Sequence, residues 1–340
     1  MNKVDSEQKI VPSSSLSKWK RKILFNILFL VIMSIFILLC ALEMTLRVYF
    51  QSRYNVPFLA KTRVRRYDPL LGWGGTKIMG DSQSDKKMKI FFIGDSFTAQ
   101  YLDKKDMYYD VVSRKLGIEL FVYGASGYGT LQEYLVIDKY IDNIRPDLVV
   151  LQTCSNDFIN NDWDLERKSF IHNNHKVRPY YENGQIKYRF PRGPFFRGYI
   201  IPYSRLAYFI SYHFDRILVE LNNKGYLRTI EEYVQSEGDR LEGFKRSVDT
   251  TAELMGMIKK RCGRASLIAF PVFDDEPYFS HFKNIFRHYN INFLEEIPRL
   301  AWAAEGRKWE RNDDHWTEKG QKVCGQYLTD YIKTNFLKNK

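Results

Sequence analysis

Cysteine is scarce in this chain of 340 residues, and its four cysteines lack the spacing of a metal-binding motif. Cys40 lies in an apolar run, whereas Cys154, Cys262 and Cys324 lie in apolar or amphipathic segments typical of buried thiols. One disulfide is the alternative in an oxidising compartment. Internal repeats, low-complexity tracts and nucleic-acid-binding motifs are also absent from the sequence. We therefore expect no metal, no other cofactor and no nucleic-acid partner.

Charge is missing from one long hydrophobic run, residues 23–42. A helix of about 20 residues covers the roughly 30 Å of a bilayer's hydrocarbon core. Lysine or arginine occupies four of positions 18–22, which predicts a cytoplasmic N-terminus. We expect a basic cytoplasmic tail over 1–22, a single transmembrane anchor over 23–42, and the remainder outside the cytoplasmic membrane, periplasmic or extracellular. A cleaved signal peptide is the alternative, although its apolar region is usually about 7–15 residues long.

Residues 43–87 have the composition of a connector, with prolines, a Gly72-Trp73-Gly74-Gly75 cluster and six basic residues between 47 and 66. These basic residues account for part of the net charge of +12. They fit adsorption to anionic headgroups or acidic glycans, and they fit a solvated linker equally well.

From residue 88 to residue 340, short apolar runs alternate with longer amphipathic stretches. The predicted strands cover 88–93, 119–123, 148–153, 265–270 and 291–294. The predicted helices cover 106–116, 131–144, 241–260, 279–288 and 317–336. Strands that alternate with helices of this length indicate a parallel sheet covered on both faces, and hence an α/β fold.

The stretch 158–240 breaks this alternation. It is rich in tyrosine, phenylalanine, arginine and asparagine, and it is too long for an ordinary loop. We interpret it as an insertion, partly helical over 204–222, that caps the carboxyl edge of the sheet. The alternative is a structural cover that does not contact substrate.

Four short polar segments lie at predicted sheet-edge positions. They are Gly94-Asp95-Ser96, the glycine-rich stretch 123–130, Cys154-Ser155-Asn156-Asp157 and Asn312-Asp313-Asp314-His315-Trp316. Each segment alone has an ordinary explanation as a turn, a helix cap or a surface histidine. Their positions after successive strands favour an active site, because the carboxyl ends of parallel strands meet at one edge.

Acyl transfer needs a nucleophile, a base, a group that orients the base, and donors for the oxyanion. Ser96 is the candidate nucleophile and His315 the candidate base. A carboxylate two or three positions before His315 can fold back and hold the imidazole tautomer. The backbone N–H groups of Ser96 and Gly127 and the side-chain amide of Asn156 are candidate oxyanion donors.

The order of these four segments resembles the SGNH, or GDSL-like, hydrolase superfamily. Its four blocks centre on residues that correspond here to Ser96, Gly127, Asn156 and His315. The resemblance implies a flavodoxin-like three-layer sandwich and ester hydrolysis or acyl transfer without a metal. The segment 67–73 and the anchor with Glu43 and Arg47 are similar to the membrane-anchored bacterial branch of that superfamily.

Two positions depart from the family pattern. The family often has Asp three residues before the histidine, where this chain has Asn312. Asp313, two residues before, matches a variant found in relatives of the anchored branch, which assigns the orienting role to Asp313 rather than Asp314. Cys154 replaces a frequent glycine but leaves the Asn156 amide available.

Taken together, the sequence predicts a membrane-anchored serine esterase or deacylase. Its substrate would be an O-acyl, foremost O-acetyl, ester of a small molecule or a cell-envelope glycan, with envelope polysaccharide machinery as a partner. An O-acyltransferase with the same site is one alternative, and it would need a separate protein to deliver acyl groups. A non-catalytic glycan-binding or assembly protein is the other.

Overall fold

The computed structural model describes residues 14–54, 58, 67–80, 88–172, 176–189, 200, 203–305 and 315–337. The chain divides into two compact units. The first comprises 1–62 with 201–210, and the second comprises 63–200 with 211–340.

The first unit is built on one long helix, α1, which spans Ser14–Tyr54. Its segment Trp19–Arg53 is long and apolar enough to cross a membrane, a property that it would share with a signal sequence. The helix continues beyond residue 42, so the connector predicted to begin at residue 43 is helical as far as Tyr54. No glycine or proline interrupts the sequence between 43 and 54, which explains why the helix does not stop where the apolar run ends.

A carboxylate on α1 caps the start of a second helix, α6, which spans Arg205–Asn223 and whose residues up to 210 belong to this unit. Glu43 Oε2 accepts hydrogen bonds from Ser204 Oγ and from the backbone N–H of Leu206, both at 2.9 Å. Glu43 Oε1 accepts from the Arg205 N–H at 3.0 Å. These N–H groups have no partner within the helix itself, so Glu43 fixes the start of α6.

The second unit contains ten short strands and the remaining helices of the described chain. The strands are β1 Tyr67–Asp68, β2 Gly72–Trp73, β3 Thr76–Ile78, β4 Lys89–Gly94, β5 Glu119–Gly124, β6 Leu148–Thr153, β7 Arg178–Glu182, β8 Gln185–Arg189, β9 Ser266–Pro271 and β10 Asn292–Phe293. The helices are α2 Tyr108–Leu116, α3 Thr130–Ile144, α4 Asn156–Asn161, α5 Trp163–Glu166, α7 Ile230–Glu237, α8 Glu242–Cys262, α9 Tyr278–His288, α10 Ile297–Glu305 and α11 Glu318–Ile332.

Six strands form the central sheet in the order β10-β9-β6-β4-β5-β3. All neighbouring pairs are parallel except β3 with β5. In chain order the five parallel strands read 2-1-3-4-5, which is the flavodoxin-like arrangement. The antiparallel edge strand β3 comes from the predicted connector, so part of that segment belongs to the sheet.

Both faces of the sheet are covered, as the sequence predicts. Phe91 and Ile93 of β4 pack on one face among residues of α3, α8 and α9. Ile90 and Phe92 pack on the other face among residues of α2, α10 and α11. Since successive residues of a strand point to opposite faces, a continuous apolar strand is what a doubly covered sheet requires. The prediction of an α/β fold with a mainly parallel sheet is therefore confirmed.

The predicted insertion, residues 158–240, holds most of α4, the helices α5, α6 and α7, and the antiparallel hairpin β7–β8. The hairpin contacts the connector, because the Tyr188 hydroxyl donates to the Leu70 carbonyl at 2.8 Å. It also reaches the loop after β5, where Arg178 donates to the Gly127 carbonyl at 2.6 Å. Part of the insertion thus lies at the carboxyl edge of the sheet.

Candidate active site

Three of the four predicted segments follow adjacent strands of the sheet. β4 is hydrogen-bonded to β5 on one side and to β6 on the other, both in parallel. Ser96 follows β4, Gly127 follows β5, and Asn156 follows β6 as the first residue of α4. The chain therefore brings these residues to one edge, at the position where the strand order reverses. Open α/β sheets bind their ligands at such a position.

A tight turn holds Ser96 at the end of β4. Gln152 Oε1 on β6 accepts from the Asp95 N–H at 3.0 Å and from Thr98 Oγ1 at 2.9 Å. The Ala99 N–H closes the turn on the Asp95 carbonyl at 2.9 Å. A Cβ at Gly94 would lie 2.4 Å from both Gln152 Oε1 and Thr98 Oγ1, so only glycine allows this approach.

Ser96 is half-buried at the surface of the site, and its neighbour Asp95 is buried. The Ser96 hydroxyl donates to Asp95 Oδ2 at 3.4 Å, a long contact. Asp95 Oδ1 accepts the Phe97 N–H at 3.1 Å, which fixes the carboxyl group within the turn. Burial raises the pKa of Asp95, and it outweighs the Phe97 hydrogen bond and the nearby His315, which lower it.

Each of the three candidate oxyanion donors has an N–H group that makes no hydrogen bond, or only a long one, to the described residues. Within the described part of the chain, the backbone N–H groups of Ser96 and Gly127 have no hydrogen-bond acceptor. Gly127 has a φ of 70°, a conformation that favours glycine. The Asn156 amide is buried and donates to Asn160 Oδ1 at 2.9 Å, with a longer contact of 3.5 Å to the Tyr128 carbonyl. The second amide hydrogen is thus only weakly engaged.

His315 lies against the turn that carries Ser96. Its ring stacks on Phe97 with the ring centres 4.6 Å apart, and it meets Tyr101 edge to face at 5.2 Å. Trp316 anchors this segment, because its side chain is buried and its carbonyl accepts from the Tyr101 hydroxyl at 2.8 Å. The aromatic pair Phe97 and Tyr101 therefore determines the position of the imidazole, and neither was identified from the sequence as part of the site.

Asp313 lies outside the described residues, as do Asn312 and Asp314, so its role stays a prediction. The start of the following helix, α11, is nevertheless described. Thr317 Oγ1 accepts the Lys319 N–H at 3.2 Å, and Glu305 Oε1 accepts the Thr317 N–H at 2.7 Å. The helix start thus has acceptors other than Asp313.

A cluster of buried acidic residues lies behind the nucleophile. Asp95, Glu133 and Asp157 are each almost completely inaccessible to solvent. Neither oxygen of Glu133 has a hydrogen-bond partner among the described residues. Burial, followed by the charges of Asp157 and Asp95, raises the pKa of Glu133 well above its usual range. Burial and the charge of Asp95 likewise raise the pKa of Asp157. Burial at this position therefore favours the uncharged form of Glu133.

The cysteines are free thiols, and three of the four are buried, as predicted. The Cys154 backbone N–H donates to Asp157 Oδ2 at 3.1 Å. Burial, with the charges of Asp95 and Asp157, raises the pKa of the Cys154 thiol well above its usual value. Because the thiolate is the reactive form, this environment disfavours Cys154 as a nucleophile.

Comparison with known proteins adds a family and several similar structures. Residues 90–184 match the family described as GDSL-like Lipase/Acylhydrolase. This range contains Ser96, Gly127 and Asn156, and it excludes His315. No curated protein matches the chain.

Three solved structures illustrate the similarity. The psychrotrophic esterase EstA from Pseudoalteromonas sp. is 13% identical, with 74% of this chain and 98% of that chain covered and a TM-score of 0.39. The lipase/acylhydrolase from Enterococcus faecalis is 15% identical, with 73% and 96% covered and a TM-score of 0.39. The acetyl xylan esterase Est2A from Butyrivibrio proteoclasticus is 11% identical, with 73% and 64% covered and a TM-score of 0.38.

The family match falls on the part of the sheet that carries the first three motifs, in the order that the sequence predicts. The resemblance drawn from the sequence is therefore confirmed: residues 90–184 are similar to GDSL-like lipases and acylhydrolases, a similarity that supports hydrolysis of ester bonds.

Proposed function

We propose that this chain is a membrane-anchored serine esterase that removes O-acyl groups, foremost O-acetyl groups, from a glycan of the cell envelope. The observation that carries the proposal is the position of Ser96, between the two loops that bear Gly127 and Asn156 and beside the ring that supports His315. A nucleophile, a base and three candidate oxyanion donors then belong to one edge of one sheet.

The proposed reaction has two steps. His315 takes the proton of the Ser96 hydroxyl while the oxygen attacks the ester carbonyl, and the developing oxyanion accepts from the donors at Ser96, Gly127 and Asn156. Collapse of the tetrahedral intermediate expels the sugar hydroxyl, which receives the proton from His315. Water, deprotonated by His315, then attacks the acyl-enzyme; the bond between the acyl carbon and Ser96 Oγ breaks, the carboxylic acid leaves, and His315 returns the proton to Ser96 Oγ. Asp313 would hold the imidazole in the required tautomer.

Location and composition support the choice of substrate. The apolar segment of α1 supports an anchor with the catalytic unit outside the cytoplasmic membrane, where envelope glycans are found. Ser96 and His315 are both partly exposed, which suits a site that admits a polymer-borne ester. The aromatic-rich insertion supplies ring faces of the kind that stack on sugars.

The test is acetate release from O-acetylated envelope glycan by the purified full-length protein. We expect Ser96→Ala to abolish release without a change in melting temperature, because a half-exposed turn serine contributes little packing. Ser280→Ala, at an exposed position on α9, is the matched control and should retain full activity. Equal acetate release by Ser96→Ala and the unmodified protein would refute the proposal. Acetyl transfer to a sugar acceptor without free acetate would instead indicate the acyltransferase alternative.

A further inference from the structure

The two peptide bonds that flank Gly127 are held by residues from outside their own loop. The Trp73 indole Nε1 donates to the Ser126 carbonyl at 3.3 Å. The Arg178 guanidinium Nη2 donates to the Gly127 carbonyl at 2.6 Å. Trp73 belongs to β2 in the connector and Arg178 to β7 in the insertion, so two segments outside the core motifs meet at this loop.

The first of these bonds determines where the Gly127 N–H points. The Ser126 carbonyl and the Gly127 N–H belong to the same planar trans peptide, in which the C=O and N–H bonds point in opposite directions. With the carbonyl directed at the Trp73 indole, the N–H must point away from it. Within the described part of the chain this N–H has no acceptor, which leaves it available to a ligand. The second bond prevents rotation of the next peptide, at a residue whose φ of 70° gives it unusual freedom.

Arg178 is itself fixed on several sides. It is 1% exposed, and its Nε lies 2.7 Å from Glu166 Oε2. Its Nη1 donates to Gln132 Oε1, and its guanidinium carbon lies 4.8 Å from the centre of the Trp73 ring. The Tyr180 hydroxyl donates to the same Glu166 oxygen at 2.7 Å. A planar guanidinium serves all these partners at once, which a lysine ammonium on a flexible stem does not.

We propose that Trp73 and Arg178 are positioning residues for the oxyanion hole, which aim the Gly127 N–H at the ester oxygen in the transition state. The inference rests on the proposed function, because it takes Gly127 as an oxyanion donor. It assigns a catalytic purpose to the connector and to the hairpin β7–β8, neither of which supplies a reacting group. Donors of this kind act through their fixed orientation, so a misaligned N–H lowers the rate even when it is still present.

Trp73→Phe is the sharpest variant, because it removes the indole N–H and keeps an aromatic ring beneath Arg178. We expect kcat on 4-nitrophenyl acetate to fall about tenfold while KM stays within about twofold, since the interaction strengthens in the transition state. Trp302→Phe is the matched control. It removes an indole N–H that donates to the Val272 carbonyl at 2.8 Å, after β9, a strand that is not adjacent to β5. Because Trp302 also packs against Trp316, with the ring centres 6.2 Å apart, its control measurement is the ratio of the rates on oxo-esters and thionoesters, which should be unchanged.

A second measurement distinguishes misorientation of the Gly127 N–H from a general structural defect of the site. Thionoesters place sulfur, a weak hydrogen-bond acceptor, where the oxyanion would form, so they gain little from the donors. The ratio of kcat/KM for the oxo-ester to that for the thionoester should therefore fall about tenfold in Trp73→Phe. A purely structural defect would lower both rates and leave the ratio unchanged.

Arg178 is tested by replacing its guanidinium with the ammonium group of lysine. Removal of the positive charge would leave the buried Glu166 carboxylate unpaired and could unfold the protein. Arg178→Lys keeps the charge and should lower the same ratio. Lys176→Arg is its control. Lys176 lies just before β7, and its Nζ is 4.7 Å from the centre of the Trp73 ring. It should leave the ratio at the wild-type value.

The outcomes distinguish this inference from the proposed function. If esterase activity did not depend on Ser96, both the proposed function and this inference would be wrong. Ser96-dependent activity with an unchanged oxo-to-thiono ratio in both Trp73→Phe and Arg178→Lys would overturn the inference alone. An equal fall of the oxo-to-thiono ratio in Trp302→Phe would also overturn it.

Discussion

Glu133 is a buried carboxylic acid with no hydrogen-bond partner among the described residues, and its raised pKa makes the stability of the fold depend on pH. The unfolded chain ionises Glu133 above about pH 4.3, whereas the raised pKa shifts this ionisation to higher pH in the folded chain. Between the two pKa values the folded state binds more protons, so the contribution of Glu133 to stability is fully present at low pH and falls as pH rises toward the folded pKa. The expected slope is about 1.4 kcal/mol per pH unit.

Glu133→Gln should therefore stabilise the protein at pH 8 and have little effect near pH 4. The amide cannot ionise in the folded or the unfolded chain. The fall in stability that Glu133 causes between pH 4 and pH 8 therefore disappears. Melting temperatures of the purified full-length protein at several pH values measure this effect. Glu237→Gln, at an exposed carboxyl, should show no such pH-dependent gain. A gain for Glu133→Gln that is the same at pH 4 and pH 8 would contradict the argument.

Asp313 is the predicted partner of His315, and its effect should be on catalysis rather than stability. Asp313→Asn should favour the wrong imidazole tautomer and lower kcat by about 10⁴, as in serine triads. The melting temperature should hold, because Thr317 and Glu305 accept the N–H groups at the start of α11. Asn312→Ala and Asp314→Asn are the controls. Loss of turnover in Asp314→Asn alone would move the assignment by one residue.

The location of the candidate residues at one edge of the sheet could be predicted from the sequence, whereas the contacts around them could not. Ser96, Gly127 and Asn156 stand out because each lies in the loop or turn after a buried strand. Trp73 and Arg178 follow no such pattern, since their role depends on tertiary contacts between segments far apart in the chain. The Gly72-Trp73 sequence indicated a turn, and nothing local distinguished the indole as a donor.

Helix α6 depends on a carboxylate that another element supplies. Glu43 of α1 accepts from the first N–H groups of α6 and from Arg47 Nε at 2.7 Å. Glu43→Gln keeps the size of the side chain but replaces one acceptor oxygen with a donor. The start of α6 should lose about 1–2 kcal/mol of local stability, which corresponds to hydrogen exchange about 5- to 30-fold faster in its first turn.

Mass-spectrometric hydrogen exchange of the full-length protein over residues 204–210 measures this prediction. Glu220→Gln lies on the same helix at an exposed position and should not change the exchange. Exchange that is equally fast in both variants would mean that Glu43 is not the cap.

Elements with a clear apolar period were predictable, and elements without one were not. The strands β4, β5 and β6 agree with the sequence within a residue at each end, because each is a continuous apolar run. The hairpin β7–β8 and the edge strand β3 are short and polar, and only their partners make them strands. Helix α1 extends beyond the apolar run because helix propensity continues after hydrophobicity ends.

The whole molecule is expected to have its N-terminus in the cytoplasm and its catalytic unit outside. An alkaline phosphatase fused after residue 340 should then be active, because this reporter works only outside the cytoplasm. The same fusion without residues 23–42 should be inactive, because it would remain in the cytoplasm. A mature protein that begins near residue 43, detected by N-terminal sequencing, would contradict a retained anchor and favour the signal peptide.

The hydrogen bond from Tyr101 to Trp316 joins positions 215 residues apart. The two segments of the site are therefore synthesised at different times. At about 5–20 residues per second, a ribosome finishes the Ser96 turn on the order of 10–40 s before it reaches His315. The growing chain would carry the proposed nucleophile for all of that interval without the proposed base. Chains that end before His315 are therefore expected to be inactive toward esters.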